Sequence, residues 1–377
     1  MTGPLAGVKV VQLGGIGPVP FCGMVLADLG ADVVVIHRTA EAGTPSLPVI
    51  DRGRRSLAVD LKQPEGVAVV RRLIDGADAV IEGFRPGVAE RLGFDPAELR
   101  KTNPRLVFGR MTGFGQDGPL AQAAGHDIDY IALSGALGAI GRKGEAPVPP
   151  LNLVGDFGGG AMFLAVGVLA AILSARATGQ GQDVDTAMVD GSALLTAMQW
   201  GFAAHGIWNL NERGVNWLDS GSHWYDTYRC ADGEYLALGA LEPQFYAALV
   251  EGLGVDVDLT KQMDRATEDA TRELFAATIA TKTRDEWVKT FEGLDACVAP
   301  VLTMAEAPTH PHNIARATFV EDSAGTTQPA PAPRFSATPL AGPTPAGVRG
   351  AETGELLTEL GYAEDEIAKL REAGAVK

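Results

Sequence analysis

Short apolar runs rich in β-branched residues alternate with helix-length stretches through the first 110 or so residues of this 377-residue chain. That alternation restricts the fold more than any other feature, because strands joined by helices feed a parallel sheet covered on both faces. Residues 8–13 pattern as a buried strand. The turn Gly14-Gly15-Ile16-Gly17-Pro18 follows, then a helix over 21–29 that stops at Gly30, then a strand over 31–36. Residues 56–59, 79–81 and 106–109 read as further strands, with helices over 65–76 and 96–101. The expected fold class is α/β: a Rossmann-like, doubly wound large domain plus a small α+β domain.

The opening βαβ unit invites a dinucleotide site and then departs from one. Its glycine pattern is Gly15-x-Gly17-x-x-Pro20, without the third glycine. The second strand ends in His37-Arg38, where a site for NAD carries an acid for the ribose hydroxyls. An arginine there favours a phosphate on the ribose, which NADP and the 3′-phosphate of coenzyme A both offer.

Character changes near Ser220. Two strand-like segments flank Ala231-Asp232-Gly233, a hairpin signal. The expected layout is a large domain over 1–186, a linker over 187–219 and a small domain over 220–315. A Pro-, Thr- and Ala-rich linker over 316–347 and a C-terminal segment over 348–377 follow, the latter returning to the large domain. Residues 157–175 carry no charge and are long enough to raise the membrane question. Three opening glycines and a high alanine content predict a helix buried in a core instead.

A net charge of −16 argues against nucleic acid or an anionic membrane as partner. It leaves room for an anionic small molecule, which needs only a local cluster. Arg38, Arg52, Arg54, Arg55, Lys62, Arg85 and Arg91 supply one. The three cysteines form no C-x-x-C pair, so a reducing compartment is expected. With no signal peptide pattern at the start and no peroxisomal tripeptide at the end, the expected location is the cytoplasm. His310-x-His312 lacks the further ligands of a metal site, so no metal is expected. Neither a nucleophile elbow nor a Walker A loop is present.

Two titratable residues carry the chemistry. His126 lies in Gly125-His126-Asp127-Ile128-Asp129-Tyr130 and Asp156 in Val154-Gly155-Asp156-Phe157-Gly158-Gly159-Gly160. Asp156 is expected at the N-cap of the apolar helix, where an acid can simply satisfy backbone N–H groups. In a functional setting the small residues after it admit a ligand, and the helix start favours an enolate oxygen. An imidazole and a carboxylate facing each other would supply two proton-transfer groups.

Taken in order, the segments resemble the family III coenzyme A transferases and, within them, the α-methylacyl-CoA racemase branch. The matching pieces include residues 5–10, 26–33, 54–62, 85–93 and 113–119, then Thr283-Arg284-Asp285-Glu286-Trp287, 299–302 and 356–362. The resemblance implies an interlocked homodimer whose active site is shared between the large domain of one subunit and the small domain of the other. It implies an acyl-CoA thioester substrate and no separate cofactor. In the transferases the residue matching Asp156 is a nucleophile forming an acyl-enzyme; in the racemases it is an acid/base opposed by the His of Gly-His-Asp.

Gly125-His126-Asp127 and Ala240-Leu241-Glu242-Pro243-Gln244 match the racemases, with Glu242 supporting His126. The implied reaction is interconversion of (R)- and (S)-2-methylacyl-CoA by 1,1-proton transfer through an enolate. His126 is assigned to the (S)-substrate and Asp156 to the (R)-substrate, with backbone N–H near Asp156 holding the enolate oxygen. The alternatives are CoA transfer through an Asp156 acyl-enzyme, or an acyl-CoA binding module. Coenzyme A and substrate contacts are expected from Ile16, Arg38, Val59, Asp60, Leu61, Lys62, Gly83, Phe84, Arg85, Arg91, Gly125, Asp127, Ile128, Asp129 and Tyr130. Ser222-His223-Trp224 departs from the racemases' usual Pro-Phe-Tyr, which leaves the form of the acyl pocket open while the chemistry stays as implied.

Overall fold

The computed structural model describes residues 2–377. Six strands form one sheet: β1 (Lys9–Leu13), β2 (Asp32–His37), β3 (Arg55–Ala58), β4 (Ala79–Glu82), β5 (Val107–Thr112) and β6 (Asp183–Ala187). Every neighbouring pair is parallel, in the order β3-β2-β1-β4-β5-β6. The order reverses between β1 and β4, which places the binding crevice of such a sheet outside the carboxyl ends of these strands.

Alternate residues of each strand feed opposite faces. Val10, Val33, Ile81 and Val107 pack in one apolar cluster with Leu164, Val168 and Ile172 of the helix Met162–Thr178. Val11, Val34, Leu57 and Phe108 join the other, with Val69 and Ile74 of the helix Pro64–Asp75 and the C-terminal Leu356, Leu357 and Ile367. Burial on both faces explains why these strands read as continuous apolar runs. The first helix, Pro18–Asp28, begins earlier than its apolar pattern, because Pro18 is pre-set for a first helical turn behind Gly17 at φ 65°. β6 had no such pattern: Asp183-Val184-Asp185 is an edge segment whose acids face outward.

Packing divides the chain into two compact units. One comprises the chain up to Ser134, Leu151–Leu195 and His312–Lys377; the other comprises Gly135–Pro150 and Thr196–Pro311. Residues 135–150, read from sequence with 1–186, therefore pack with the second unit. The start of the 187–219 segment is the helix Met188–Leu194 of the first unit. Much of 316–347 is ordered against the first unit. The short antiparallel pair Phe319–Glu321 and Thr327–Pro329 is pinned by buried Arg52, which donates to Asp28 Oδ2 (2.6 Å), Gln328 Oε1 (2.7 Å) and the Pro329 carbonyl (2.9 Å). The C-terminal end closes on β3: Ala58 N donates to Thr353 Oγ1 (3.0 Å) and Asp60 N to the Ala375 carbonyl (2.9 Å).

In the second unit β7 (Tyr225–Arg229), β8 (Tyr235–Gly239) and β9 (Val298–Pro300) form an antiparallel sheet. The hairpin turns at Asp232-Gly233, with Gly233 at φ 90°. Trp224, Tyr246, Phe275 and Trp287 form its core. His223 lies wholly inside this core, its ring nitrogens 2.9 Å from Glu268 Oε2 and 2.9 Å from the Tyr246 hydroxyl.

The long apolar segment is a π-helix over Leu153–Ala161 continuing as the α-helix Met162–Thr178. Only one face is buried; Val166 and Leu173 on the other are exposed, so the expectation of a fully buried helix holds for half its surface. The helix Met188–Leu194 packs backbone to backbone on the π-helix, where a Cβ on Gly191 would sit 1.8 Å from the Gly159 carbonyl oxygen. Gly191→Ala must force the two segments apart. We expect a stability loss of about 1–3 kcal/mol or more, read as a lowered midpoint in denaturant unfolding.

Candidate active site

The expected contact residues gather because each follows the carboxyl end of a strand. Ile16 follows β1, Arg38 follows β2, Val59–Lys62 follow β3, Gly83–Arg85 follow β4, and the loop leading to His126 follows β5. β1 and β4 are in register so that Leu13 pairs with Glu82, bringing the turn after Leu13 beside Gly83. A Cβ on Gly14 would lie 3.2 Å from the Phe84 ring, and one on Gly83 3.0 Å from Val19. Glu82 itself escaped the sequence reading. Its carboxyl is buried at the strand end and accepts the Phe84 N–H, and burial pushes its pKa up to about 7.

The basic cluster separates into two groups. Arg52 pairs with Asp28, Arg54 with Asp51, and Arg55 with Asp32 and Glu359. These three are largely buried and structural. Arg38, Lys62, Arg85 and Arg91 are exposed and enter no ion pair among the described residues. Their charge is therefore uncompensated at the same rim, as an anion-binding edge requires.

His126 stands immediately before the helix Asp127–Leu133, and its N–H donates to Asp129 Oδ2 (2.9 Å). Its side chain is exposed. Tyr130, one turn later, is 7 % exposed and its hydroxyl donates to the Gly125 carbonyl, holding the peptide before His126. Tyr130 thus acts first through the backbone; burial drives its hydroxyl pKa up to about 12. The Tyr130 ring also packs edge-on against Phe114, with centroids 5.0 Å apart.

Asp156 does not cap a helix. It lies in the first turn of the π-helix, three residues after Leu153, and its N–H is taken by Asp127 Oδ1 at 2.6 Å. That N–H is therefore closed to an enolate oxygen. The first-turn N–H groups of Asp127 and Ile128, beside His126, have no protein acceptor among the described residues. The Asp156 carboxylate accepts from Asn152 Nδ2 (3.1 Å) and reaches toward Gly17, where a Cβ would lie 2.9 Å from Oδ2. Phe157 stacks on Phe21 (4.4 Å between centroids), tying the segment to the first helix.

Burial raises the Asp156 pKa; Asn152 opposes this by hydrogen bonding, the Asp127 charge adds to it, and the His126 charge lowers it. His126 and Asp156 are thus within reach of each other's field. Asn152 carried no signal in the sequence, and Gly17 signalled only a turn.

Glu242 belongs to the second unit. It is exposed, at the start of the helix Pro243–Leu253. That unit carries a cleft of about 370 Å³, lined among others by Leu218, Tyr225, Leu238 and Cys297. His223 and Trp224 do not line it; both are buried in the unit's core.

A family model described as CoA-transferase family III matches residues 5–353, and the chain belongs to that family. It is 47 % identical to the alpha-methylacyl-CoA racemase of Mus musculus over 371 residues, covering 97 % of this chain and 96 % of that protein. Identity to the Homo sapiens alpha-methylacyl-CoA racemase is 45 % over the same shares of the two chains. Among solved structures, a CaiB/BaiF family protein from Brucella suis aligns with a TM-score of 0.80 and 25 % identity, covering 96 % of this chain and all of that one.

Proposed function

We propose that this chain is an α-methylacyl-CoA racemase. The observation that carries the reading is an exposed imidazole beside a carboxyl whose pKa burial raises, in a chain nearly half identical to racemases along its length. The thioester acidifies the α-proton. From the (S)-substrate His126 takes that proton, and protonated Asp156 delivers one to the opposite face; from the (R)-substrate the roles reverse. A carboxyl held above the ordinary range suits this exchange, because it can give a proton as well as accept one. The enolate oxygen is served by the first N–H groups of the helix Asp127–Leu133, a kind of contact worth about 3–4 kcal/mol. Both bases are side chains and the substrate brings its own activation, so the reaction needs no metal or redox cofactor.

Incubation of the chelator-treated protein with a 2-methylacyl-CoA in D2O should introduce deuterium at the α-carbon, followed by NMR. Asp156→Ala and His126→Ala should each reduce interconversion by about 100-fold or more. Absence of α-exchange with every acyl-CoA tried, together with trapping of an Asp156 acyl-enzyme by hydroxylamine, would turn the assignment to CoA transfer.

The unpaired cations serve coenzyme A, with Arg38 on the 3′-phosphate and Arg85 and Arg91 on the other phosphates. Arg38→Ala should weaken binding of the CoA ester by about 10-fold or more and leave the ester of dephospho-CoA, which lacks that phosphate, unchanged.

A second copy of the chain completes the site as an interlocked homodimer. Two features support this. The first unit leaves Leu153, Val166, Leu173 and Leu194 exposed, apolar surface that a partner would cover, and Glu242 lies exposed without an ion-pair partner among the described residues. In the dimer Glu242 of one subunit orients His126 of the other. Co-expressed Asp156→Ala and Glu242→Gln chains, each impaired alone, should then recover up to about a quarter of wild-type activity through one intact site per mixed dimer. Recovery no greater than the two variants' own activities would exclude a shared site.

A further inference from the structure

Asp127 follows the proposed base His126 in the chain, yet its carboxylate serves the opposite base. Oδ1 accepts the Asp156 backbone N–H at 2.6 Å, across 29 residues of sequence. The residue is 7 % exposed, and Oδ2 is buried without a hydrogen-bond partner among the described residues. A buried ionisable oxygen left unpaired is costly, so its retention asks for a purpose. The backbone around it is equally committed. A Cβ on Gly155 would lie 2.6 Å from Asp127 Oδ1, so the π-helix approaches this carboxylate at the one position where no side chain stands in the way. π-Helical turns are uncommon and concentrate where a backbone must present a functional group.

We propose that Asp127 is a positioning residue that couples the two bases of the racemase site: one carboxylate oxygen fixes the backbone of Asp156 to the helix that follows His126, and the carboxylate as a whole faces Asp156 with its negative charge. This rests on the racemase reading for its kinetic consequence but not for its geometry. An N–H held by a carboxylate rather than by an i−4 or i−5 carbonyl sets the height of Asp156 along the π-helix. The distance between the two bases is then set by a side chain of the imidazole's own helix, and movement of one carries the other. The charge has a separate effect. Around Asp156, the facing helix supplies Asp127, His126 and Tyr130, its own segment supplies Asn152, and the first helix supplies only Gly17. The helix packed on the other side carries Asp190, which acts on Asp185 instead. Asp127 is therefore the acidic neighbour that keeps the Asp156 carboxyl protonated to higher pH, after burial itself.

Asp127→Asn and Asp127→Ala separate the two effects. Asparagine keeps an oxygen for the Asp156 N–H and removes the charge; alanine removes both. In the asparagine variant the Asp156 carboxyl, followed by 13C NMR, should titrate at lower pH, and the acid limb of kcat for the (R)-substrate, from which Asp156 takes the proton, should move the same way. The alanine variant should lose about 100-fold in kcat, the scale of a misplaced reacting group, with KM changed by less than about twofold. The titration reads Asp156 directly, so it stands even if the wild-type protein exchanges no α-proton and the racemase reading falls. Should the Asp156 titration stay put in the asparagine variant, with activity falling only as the folded fraction falls, Asp127 is a structural acid and the proposal is overturned. If alanine does not fold, asparagine alone decides.

Discussion

The reversal of strand order between β1 and β4 is the constraint on which the first unit's site depends. It turns the chain outward at the carboxyl edge of the sheet, so that loops far apart in sequence end beside one another. Ile16, Arg38, Lys62, Arg85 and His126 share no sequence neighbourhood, yet each follows a strand of one parallel sheet. The sheet tolerates this only because both of its faces are covered, by the helix Met162–Thr178 on one side and by the helix Pro64–Asp75 with the C-terminal residues on the other. The last sixty or so residues are thus part of the scaffold beneath the site.

Charge is sorted by burial. Arg52, Arg54 and Arg55 sit where an unpaired guanidinium would be too costly, and each has an acid partner. Arg38, Lys62, Arg85 and Arg91 are solvated and enter no ion pair among the described residues, so their charge is available to a ligand. Near the proposed bases the balance is different. Asp127 and Asp156 lie close enough for their charges to oppose, and the structure accepts that repulsion beside a hydrogen bond that holds them together. A carboxyl that can pass a proton in both directions is the result expected of such a pairing.

How far the site could be read beforehand follows from which interactions are local. Short apolar strands, Gly30 after the first helix and the turn at Asp232-Gly233 are local preferences, and they appear where expected. β6 was missed because an edge strand need not be apolar. Asp156 was misplaced at an N-cap because a π-helix has no distinct sequence period; its glycines serve close packing against Gly191 rather than a helix start. His223 and Trp224 stood out only as a departure from the racemases' pattern, and burial makes them core residues.

By itself, the sequence determined the alternation of strand and helix, the excess of acid over base, and the ordered segments that mark a family III CoA-transferase with the racemases' Gly125-His126-Asp127. These are properties of residue type and order. Which arginines stay free, where Asp156 points, and what holds its N–H were decided by the tertiary structure. Each of those depends on a partner distant in the chain: Asp28 for Arg52, Gly17 for the Asp156 carboxylate, Asp127 for its backbone. A desolvated charge or a closed N–H is a fact about surroundings, and the surroundings exist only once the sheet has brought the loops together.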